Sequence, residues 1–391
     1  MLNKKNTYVS LFSCAGIGCH GFTLAQWQCL ATCELNPSFM QIQQANHKCL
    51  SENQYICGDL TSLEVQKKLY ETVEHELNVL GDDFVDLVIA SPPCQGMSLL
   101  NHKRQANDLN RNSLVCVALD IIERLSPKIF ILENVRSFLK TKCVHQGVEK
   151  SIYTAIYTQL GERYTITTNT INLAEYGSQS SRTRTFVIGV RKEYTLDPQD
   201  HLPPIDKAKP LWEVIGHLPS LKTMGEICPH NVWHSFRTYK QHMRAWISNV
   251  KPGESAFNNS QPHLRPHSVI DGTLVEHKHK AFKSDKYQRA HPERVGPCVH
   301  TRNDIFSSQT TIHPYDDRVF SIAELMCMLS IPQTFRWTSL EEHQLRTIPR
   351  GELLKLERIV RYVLGECIPT HFIYRLAKHL EAQAHLQLAQ G

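Results

Sequence analysis

The stretch Val85-Asp-Leu-Val-Ile-Ala-Ser-Pro-Pro-Cys-Gln-Gly-Met-Ser98 decides the fold of this chain. Its first half is a short apolar run of strand-forming residues, which indicates a strand buried in a parallel sheet. Pro92 and Pro93 end that strand, because proline cannot donate to a β-ladder. Cys94 then lies at the carboxyl edge of the sheet, where open α/β folds bind their ligands. Its thiol is a candidate nucleophile, and a buried structural cysteine is the alternative.

Upstream of this stretch, three predicted strands end in small or acidic residues. The strand at residues 8–12 is followed by the turn 13–18, Ser-Cys-Ala-Gly-Ile-Gly, whose glycines let backbone amides approach a ligand. The strand at 30–33 ends in Glu34, at about the spacing of a carboxylate that binds ribose hydroxyls. The strand at 54–58 precedes Asp59. Together these strand ends predict a site for a nucleoside-containing cofactor, with helix caps or surface acids as the alternative reading of the two carboxylates.

Downstream, a second acid follows the next predicted strand. The polar segment from Gly96 to Asn112 carries four basic residues, which suit phosphates, although an ordinary solvated loop is the alternative. A helix at 114–125 and a strand at 128–132 come next, and Glu133 follows that strand. Because neighbouring parallel strands end at one edge, we expect Cys94 and Glu133 to project from the same edge of the sheet. This predicts a thiolate nucleophile beside a carboxylic acid.

A pair of arginines precedes the last predicted strand of this region. A helix around 148–160 and a strand at 164–173 lead to Arg182-Thr183-Arg184 and then to a strand at 185–190. Strand side chains alternate with a period of two, so we expect both guanidinium groups on one face. Arginine is suited to holding an anion or a carbonyl edge rigidly.

Composition limits the class of protein. The 391 residues allow two domains, and the formal net charge of +5 permits a polyanionic partner without demonstrating one. We find no signal sequence and no membrane-spanning run, and we interpret the 13 cysteines as reduced thiols of a cytoplasmic protein. No Cys-x-x-Cys pair occurs, and we expect no metal site. Residues 194–295 are rich in Pro, His, Lys and aromatics, which fits a nucleic-acid face or a solvated surface without one.

Taken in this order, the motifs resemble those of the DNA cytosine-5 methyltransferases over nearly the whole chain. Pro-Cys-Gln followed by Glu-Asn-Val on successive strands is a specific combination. The matching segments, from the first motif to the tenth, are residues 10–18, Glu34, Asp59, Pro93-Cys94-Gln95, Glu133-Asn134-Val135, Arg182-x-Arg184, Arg318 to Pro332 and Gly365 to Pro369. Within the ninth, Ser321 and Glu324 predict a helix N-terminal capping box.

The chain departs from the family pattern at three motifs. Cys14 stands where the family has its first glycine. In the eighth motif the family's Gln-x-Arg-x-Arg is replaced by Ser180-Ser181-Arg182-Thr183-Arg184, so either Gln179 or Ser180 takes the glutamine's role. The tenth motif becomes Gly-Glu-Cys-Ile-Pro at residues 365–369.

The resemblance implies an α/β fold, a Rossmann-like class I S-adenosylmethionine-dependent methyltransferase domain with a second, smaller target-recognition domain. The expected boundaries are 1–193 for the catalytic domain, 194–316 for the target-recognition domain and 317–391 for a segment that returns to the first. The implied reaction is methylation of C5 of a flipped-out cytosine through a covalent adduct of Cys94.

The resemblance also implies roles for individual residues. The catalytic residues are Cys94, Glu133, Arg182 and Arg184. The residues expected to bind S-adenosyl-L-methionine are Phe12, Ser13, Ala15, Gly16, Ile17, Glu34, Asp59, Leu60, Pro92, Glu366 and Cys367. The residues expected to contact DNA are Ser98, Lys103 and Arg104. The implied partners are double-stranded DNA and a cognate restriction endonuclease of the same system, and we expect a monomer.

Three other functions compete with this interpretation. A tRNA cytosine-5 methyltransferase shares Pro-Pro-Cys-Gln, but the Cys-Phe-Thr signature of that group does not occur in the second half of the chain. A nicotinamide-dependent dehydrogenase would use the glycine turn and Glu34 but would leave Cys94, Glu133 and Arg184 without roles. A DNA-binding regulator without catalysis would tolerate the loss of these residues, and here all of them are present.

Overall fold

The computed structural model describes residues 5–93, 112–194, 196–197, 200–277 and 285–388, with side chains up to residue 383. Four residues expected at the site, Cys94, Ser98, Lys103 and Arg104, therefore lie outside the described residues. The chain forms two compact units. The first contains Met1–Leu173, Thr183–Ile205 and Thr370–Gly391, and the second contains Ala174–Arg182 and Asp206–Pro369.

A seven-stranded, mostly parallel sheet forms the centre of the first unit. Its strands are β1 (Thr7–Leu11), β2 (Gln28–Glu34), β3 (Tyr55–Cys57), β4 (Leu87–Ala90), β5 (Ile129–Asn134), β8 (Tyr164–Asn172) and β9 (Thr183–Arg191). A separate hairpin consists of β6 (Lys142–His145) and β7 (Val148–Ser151). The strand order is β3-β2-β1-β4-β5-β9-β8, and the first five strands are parallel.

The strand order reverses between β1 and β4. β2 and β3 follow β1 on one side of the sheet, and β4 and β5 are then added on the other side of β1. Every residue of β1 and β4 is buried, as expected of parallel strands covered on both faces. At such a reversal the loops that leave neighbouring strands diverge and open a crevice at their carboxyl ends. The turn after β1 and the Pro-Pro pair after β4 both lie at this position.

Helices cover both faces of the sheet. They are α1 (His20–Leu24), α2 (Pro37–Ala45), α3 (Leu63–Leu80), α4 (Leu114–Leu125), α5 (Ile152–Leu160) and, from the end of the chain, α11 (Thr370–Leu388). Apolar residues of α3, α4 and α5 pack on the sheet in one continuous core. On α1, a Cβ added to Gly21 would lie 2.5 Å from the Thr370 carbonyl oxygen, so glycine allows α11 to pack closely there.

The predicted helix at 148–160 is wrong in its first turn. Residues 148–151 form β7, which pairs with β6, and α5 begins at Ile152. Gln146 and Gly147 both have positive φ, 52° and 74°, and this backbone makes the tight hairpin turn that pairs His145 with Val148. The helix that follows the turn after β1 is short, since α1 spans only His20–Leu24.

The second unit is rich in loops. Its described helices are α6 (Leu211–Ile215), α7 (Gln241–Ile247), α8 (Ile322–Met328), α9 (Glu342–Thr347) and α10 (Arg350–Glu366). A short antiparallel hairpin is formed by β10 (His267–Ile270) and β11 (Thr273–Glu276). The capping box predicted for α8 is confirmed, because Ser321 Oγ accepts from the Glu324 N–H while the Glu324 carboxylate accepts from the Ser321 N–H.

Buried arginines hold these loops together. The Arg289 guanidinium donates to the carbonyl oxygens of residues 247, 250, 313 and 316 and to the Asp317 carboxylate. Arg318 binds both oxygens of Glu324, at 2.8 and 2.7 Å, and also binds Asp316. Burial alone would raise the pKa of Glu324, but the Arg318 charge outweighs it and lowers that pKa to about 2. The unit therefore depends on ion pairs and carbonyl contacts as well as on apolar packing.

In the described ranges, no helix is both long and apolar enough to cross a membrane. Nor do their His, Cys, Asp and Glu side chains form a group of three or more that could hold a metal ion.

We expect His313, which lies beside the Arg318–Glu324 pair, to make the free energy of unfolding depend on pH. Its Nδ1 accepts the N–H groups of Tyr315 and Asp316, so the ring is held neutral. Burial lowers its pKa from 6.5 to about 4, against the opposing effect of Glu324. The unfolded chain therefore binds this proton first, and the free energy of unfolding should fall by about 3 kcal/mol as pH drops from about 6.5 to about 4.

Urea denaturation at several pH values measures this effect. His313→Asn should flatten the pH dependence in that window, whereas His263→Asn, which replaces an exposed histidine of the same unit, should not. Equal slopes for the wild-type chain and His313→Asn would contradict the assignment.

Candidate active site

The carboxyl ends of β4 and β5 are tied together by a buried hydrogen bond. The strands are parallel neighbours, with Ala90 beside Leu132. Just beyond this register, Asn134 Nδ2 donates to the Pro92 carbonyl oxygen at 2.9 Å, and Asn134 Oδ1 accepts the N–H of Val135. The bond fixes the backbone two residues before Cys94 against the strand end that carries Glu133.

Glu133 forms an ion pair with Arg184. Glu133 Oε1 lies 3.0 Å from Arg184 Nε, and their side chains are 6% and 16% exposed. β5 and β9 are antiparallel, with Glu133 opposite Phe186, so Arg184 is a diagonal neighbour on the same face of the sheet. The pair holds the carboxylate in one orientation at the edge of the sheet, where it can accept hydrogen bonds from a ligand.

Arg182 and Arg184 make different contacts. β9 begins at Thr183, so Arg182 lies one residue before the strand. Its buried guanidinium donates to the carbonyl oxygens of Val299 and Gly365, both at 2.9 Å, within the second unit. In the described structure Arg182 thus organises loops, while Arg184 contacts the acid.

The small-residue turn after β1 has an unusual backbone. Phe12, Cys14 and Gly16 have φ values of 52°, 48° and 71°, in the left-handed region. A non-glycine residue there costs of the order of 1 kcal/mol, so surrounding contacts must hold the turn. Ser13 supplies two of them, since its N–H and Oγ both donate to the Cys33 carbonyl oxygen. The next residues, Ala15 and Ile17, are buried beneath the turn.

Glu34 contacts this turn directly. Glu34 Oε2 accepts the N–H of Cys14 at 2.7 Å, and Oε1 accepts the N–H of Asn36 at 2.9 Å. Burial raises the pKa of Glu34 above its ordinary value, and these two hydrogen bonds oppose the shift. The backbone N–H of Cys14, which replaces the family glycine, thus makes the bond that orients the carboxylate.

The remaining residues expected to bind a cofactor have less distinctive surroundings. Asp59 is exposed after β3 and accepts the N–H of Thr61, while Leu60 is buried. Glu366 and Cys367 belong to the second unit, at the end of α10. There, the Tyr362 hydroxyl donates to Glu366 Oε1 at 2.8 Å.

Sequence reasoning missed three residues that support the turn, namely Thr32, Gln43 and Lys48. All three are buried, and their side chains form one hydrogen-bonded group that reaches Ser13 and Cys14. The available signal was weak: a threonine inside the apolar run of β2. Gln43 and Lys48 are residue types that usually lie on the surface, so nothing local marks them.

Comparison with known proteins finds a matching family model and similar methyltransferases. The family model described as C-5 cytosine-specific DNA methylase matches residues 6–380. The chain is 28% identical to the type II methyltransferase M1.HgaI of Avibacterium volantium, over 96% of this chain and 99% of that protein. It is 26% identical to the type II methyltransferase M.DdeI of Desulfomicrobium norvegicum, over 84% of this chain and 79% of that one.

A solved structure shares the fold. The Dnmt2 methyltransferase of S. pombe superposes with a TM-score of 0.60 at 13% identity, over 97% of this chain and 99% of that chain. At this identity the likeness concerns the fold alone, and it agrees with the predicted α/β class I architecture, which is confirmed.

Replacement of Asn134 by aspartate should destabilise the first unit. The aspartate would place a carboxylate oxygen against the Pro92 carbonyl oxygen instead of a donor, so we expect a loss of about 1–3 kcal/mol in the free energy of unfolding. Urea denaturation measures the loss. Asn53→Asp makes the same chemical change at an exposed position and should cost little. Equal stability of the two variants would contradict the role given to the Asn134 hydrogen bond.

Proposed function

Because the chain belongs to the C-5 cytosine-specific DNA methylase family, we propose that it transfers a methyl group from S-adenosylmethionine to C5 of a cytosine flipped out of a specific duplex sequence. The observation that carries the mechanism is the buried Glu133–Arg184 pair at the carboxyl edge of the sheet, tied through Asn134 to the backbone that leads to Cys94. A buried acid that is held by a cation suits polarisation of a ring.

The first unit has side chains that fit the cofactor. Glu34 is fixed by two backbone N–H groups and retains carboxylate lone pairs that suit ribose hydroxyls. The turn from Phe12 to Ile17 and the pair Asp59 and Leu60 follow the neighbouring strands. Pro92, Glu366 and Cys367 are further proposed contacts. S-adenosylmethionine, when bound, supplies an electrophilic methyl group.

Cys94 makes C5 of the cytosine reactive. Its thiolate adds to C6, which forms the S–C6 bond and places an electron pair on C5. After C5 has gained the methyl group, its proton passes to water. The electron pair of the C5–H bond then reforms the C5–C6 double bond as the S–C6 bond breaks, so the ring becomes aromatic again and the thiolate is released. The base must leave the stack for this attack, at a cost of a few kcal/mol.

Glu133 and Arg184 stabilise the charge that develops during thiolate addition. In the proposed pose one Glu133 oxygen accepts from the exocyclic amino group of cytosine, a proton held between the other oxygen and N3 balances the charge on the ring, and Arg184 donates to O2. Their ion pair orients both groups before the substrate arrives, so little reorganisation is needed in the reaction. The proposed role of Arg182 is indirect, because its guanidinium donates to backbone carbonyl oxygens of the second unit.

The partner is duplex DNA. Ser98, Lys103 and Arg104 are proposed to contact the phosphate backbone, and residues 194–316 are proposed to recognise the sequence. The relatives named above are type II methyltransferases. By extension we propose that this chain protects DNA against a restriction endonuclease that recognises the same site, and that it acts as a monomer.

Replacement of Cys94 tests the reaction. Transfer of a labelled methyl group to duplex DNA should be abolished in Cys94→Ser, because serine is not ionised at neutral pH, while DNA binding should remain. DNA carrying 5-fluorocytosine should trap a covalent complex with the wild-type chain and with the control Cys327→Ser, but not with Cys94→Ser. Bisulfite sequencing of the host DNA then gives the recognised site. Methylation by Cys94→Ser, or transfer to tRNA but not to duplex DNA, would overturn the proposal.

Glu133→Gln should separate catalysis from binding. The amide keeps the shape of the side chain but removes its charge, so we expect kcat to fall by about 100-fold or more. The affinity for S-adenosylmethionine should change little, since Glu133 lies on β5 and the cofactor residues named above are mostly on other strands. Single-turnover methyl transfer measures the rate, and Glu149→Gln, which alters a surface ion pair with Lys142, is the control. A normal rate in Glu133→Gln would exclude the assigned role.

A further inference from the structure

Gln43 connects α2 to the turn after β1. Its side chain is buried, and its Nε2 donates to the Cys14 carbonyl oxygen at 2.6 Å and to Ser13 Oγ at 2.8 Å. Its Oε1 lies 2.7 Å from Thr32 Oγ1 and 2.9 Å from Lys48 Nζ. All hydrogen-bonding positions of this amide are therefore in use.

Lys48 decides which way the Gln43 amide points. An ammonium group can only donate, so the atom that faces Lys48 Nζ must be the oxygen, and the NH₂ group must then face the turn. Lys48 is only 7% exposed, and its two hydrogen-bond acceptors, Gln43 Oε1 and Thr32 Oγ1, are both uncharged. A buried cation whose hydrogen bonds are to neutral atoms is costly for a fold. Its charge also acts on Glu34, where it opposes the rise in pKa that burial causes. Both observations point to a role beyond stability.

The turn needs such support. Cys14 has a φ of 48°, a conformation that persists only where its surroundings fix it. Both of its backbone groups are held by side chains: Gln43 donates to the carbonyl oxygen, and Glu34 accepts from the N–H. A Cβ on Gly16 would lie 2.9 Å from Gln43 Cγ, so the glutamine also packs directly against the turn.

We infer that Gln43 and Lys48 are positioning residues for cofactor binding, which act by holding the Cys14 turn in the conformation that orients Glu34. The inference rests on the proposed function, since it concerns the S-adenosylmethionine site of that reaction. Neither side chain needs to touch the cofactor. Their effect passes from Lys48 through the Gln43 amide to the backbone of Cys14 and from there to Glu34.

Gln43→Glu is the direct test. A carboxylate can still accept from Lys48, but it offers no donor to the Cys14 carbonyl oxygen. We expect the Kd for S-adenosylhomocysteine, measured by calorimetry, and the KM for S-adenosylmethionine to rise about tenfold. At saturating cofactor, kcat should change less than twofold, and so should the affinity for DNA. Lys48→Met removes the group that orients the amide and should weaken cofactor binding in the same way.

Gln54→Glu is the matched control. Gln54 is a buried glutamine of the same unit whose amide binds Ser51 N–H and the Cys29 carbonyl oxygen and does not contact the turn. It undergoes the same chemical change and should keep its cofactor affinity within about twofold, whatever its stability. The inference is overturned if Gln43→Glu and Lys48→Met bind like the wild-type chain, if kcat falls while KM stays constant, or if the control loses as much affinity. A wild-type chain that binds no S-adenosylhomocysteine would instead count against the proposed function.

Discussion

The parallel pairing of β1, β2, β4 and β5 is the constraint on which the site depends. Parallel strands end at the same edge, so the pairing of the strands brings to that edge the turn after β1, Glu34 at the end of β2, Pro92 after β4 and Glu133 on β5. β9 runs the other way and therefore begins where its neighbour β5 ends. For this reason Arg184, near the start of β9, meets Glu133 near the end of β5. The antiparallel strand β9 thus supplies Arg184, the cation that pairs with Glu133.

Polar groups buried behind this edge keep it rigid. Asn134 fixes the backbone after β4, and the side chains of Gln43 and Lys48 fix the turn after β1. Each would be costly to bury without partners, and each is satisfied by hydrogen bonds. The second unit applies the same principle, since Arg289 and Arg318 are buried and organise loops that have little regular structure. Irregular backbone needs such contacts because its N–H and C=O groups are not paired by a regular helix or sheet.

The departures from the family pattern can be understood in these terms. Cys14 replaces a glycine in a left-handed conformation, yet its carbonyl oxygen and N–H are both held, so the turn keeps its shape at a modest cost in strain. In the eighth motif, Gln179 Oε1 accepts the N–H of Lys209 while Ser180 is fully buried beside Ser178. The two residues that compete for the family glutamine's role therefore have different surroundings within the second unit.

The sequence by itself determined the features that local chemistry controls. Apolar runs ended by a turn of small residues, by proline or by an acid predicted β1, β4 and β5 respectively. The Ser321–Glu324 spacing predicted the capping box. Dihedral preferences and near neighbours suffice for both. Only the tertiary structure decided that Arg182 binds Val299 and Gly365, which lie 117 and 183 residues away along the chain. It also decided that Gln43 and Lys48 are buried beneath the turn. Such contacts follow from how distant segments pack together, and no local pattern of residues encodes that packing.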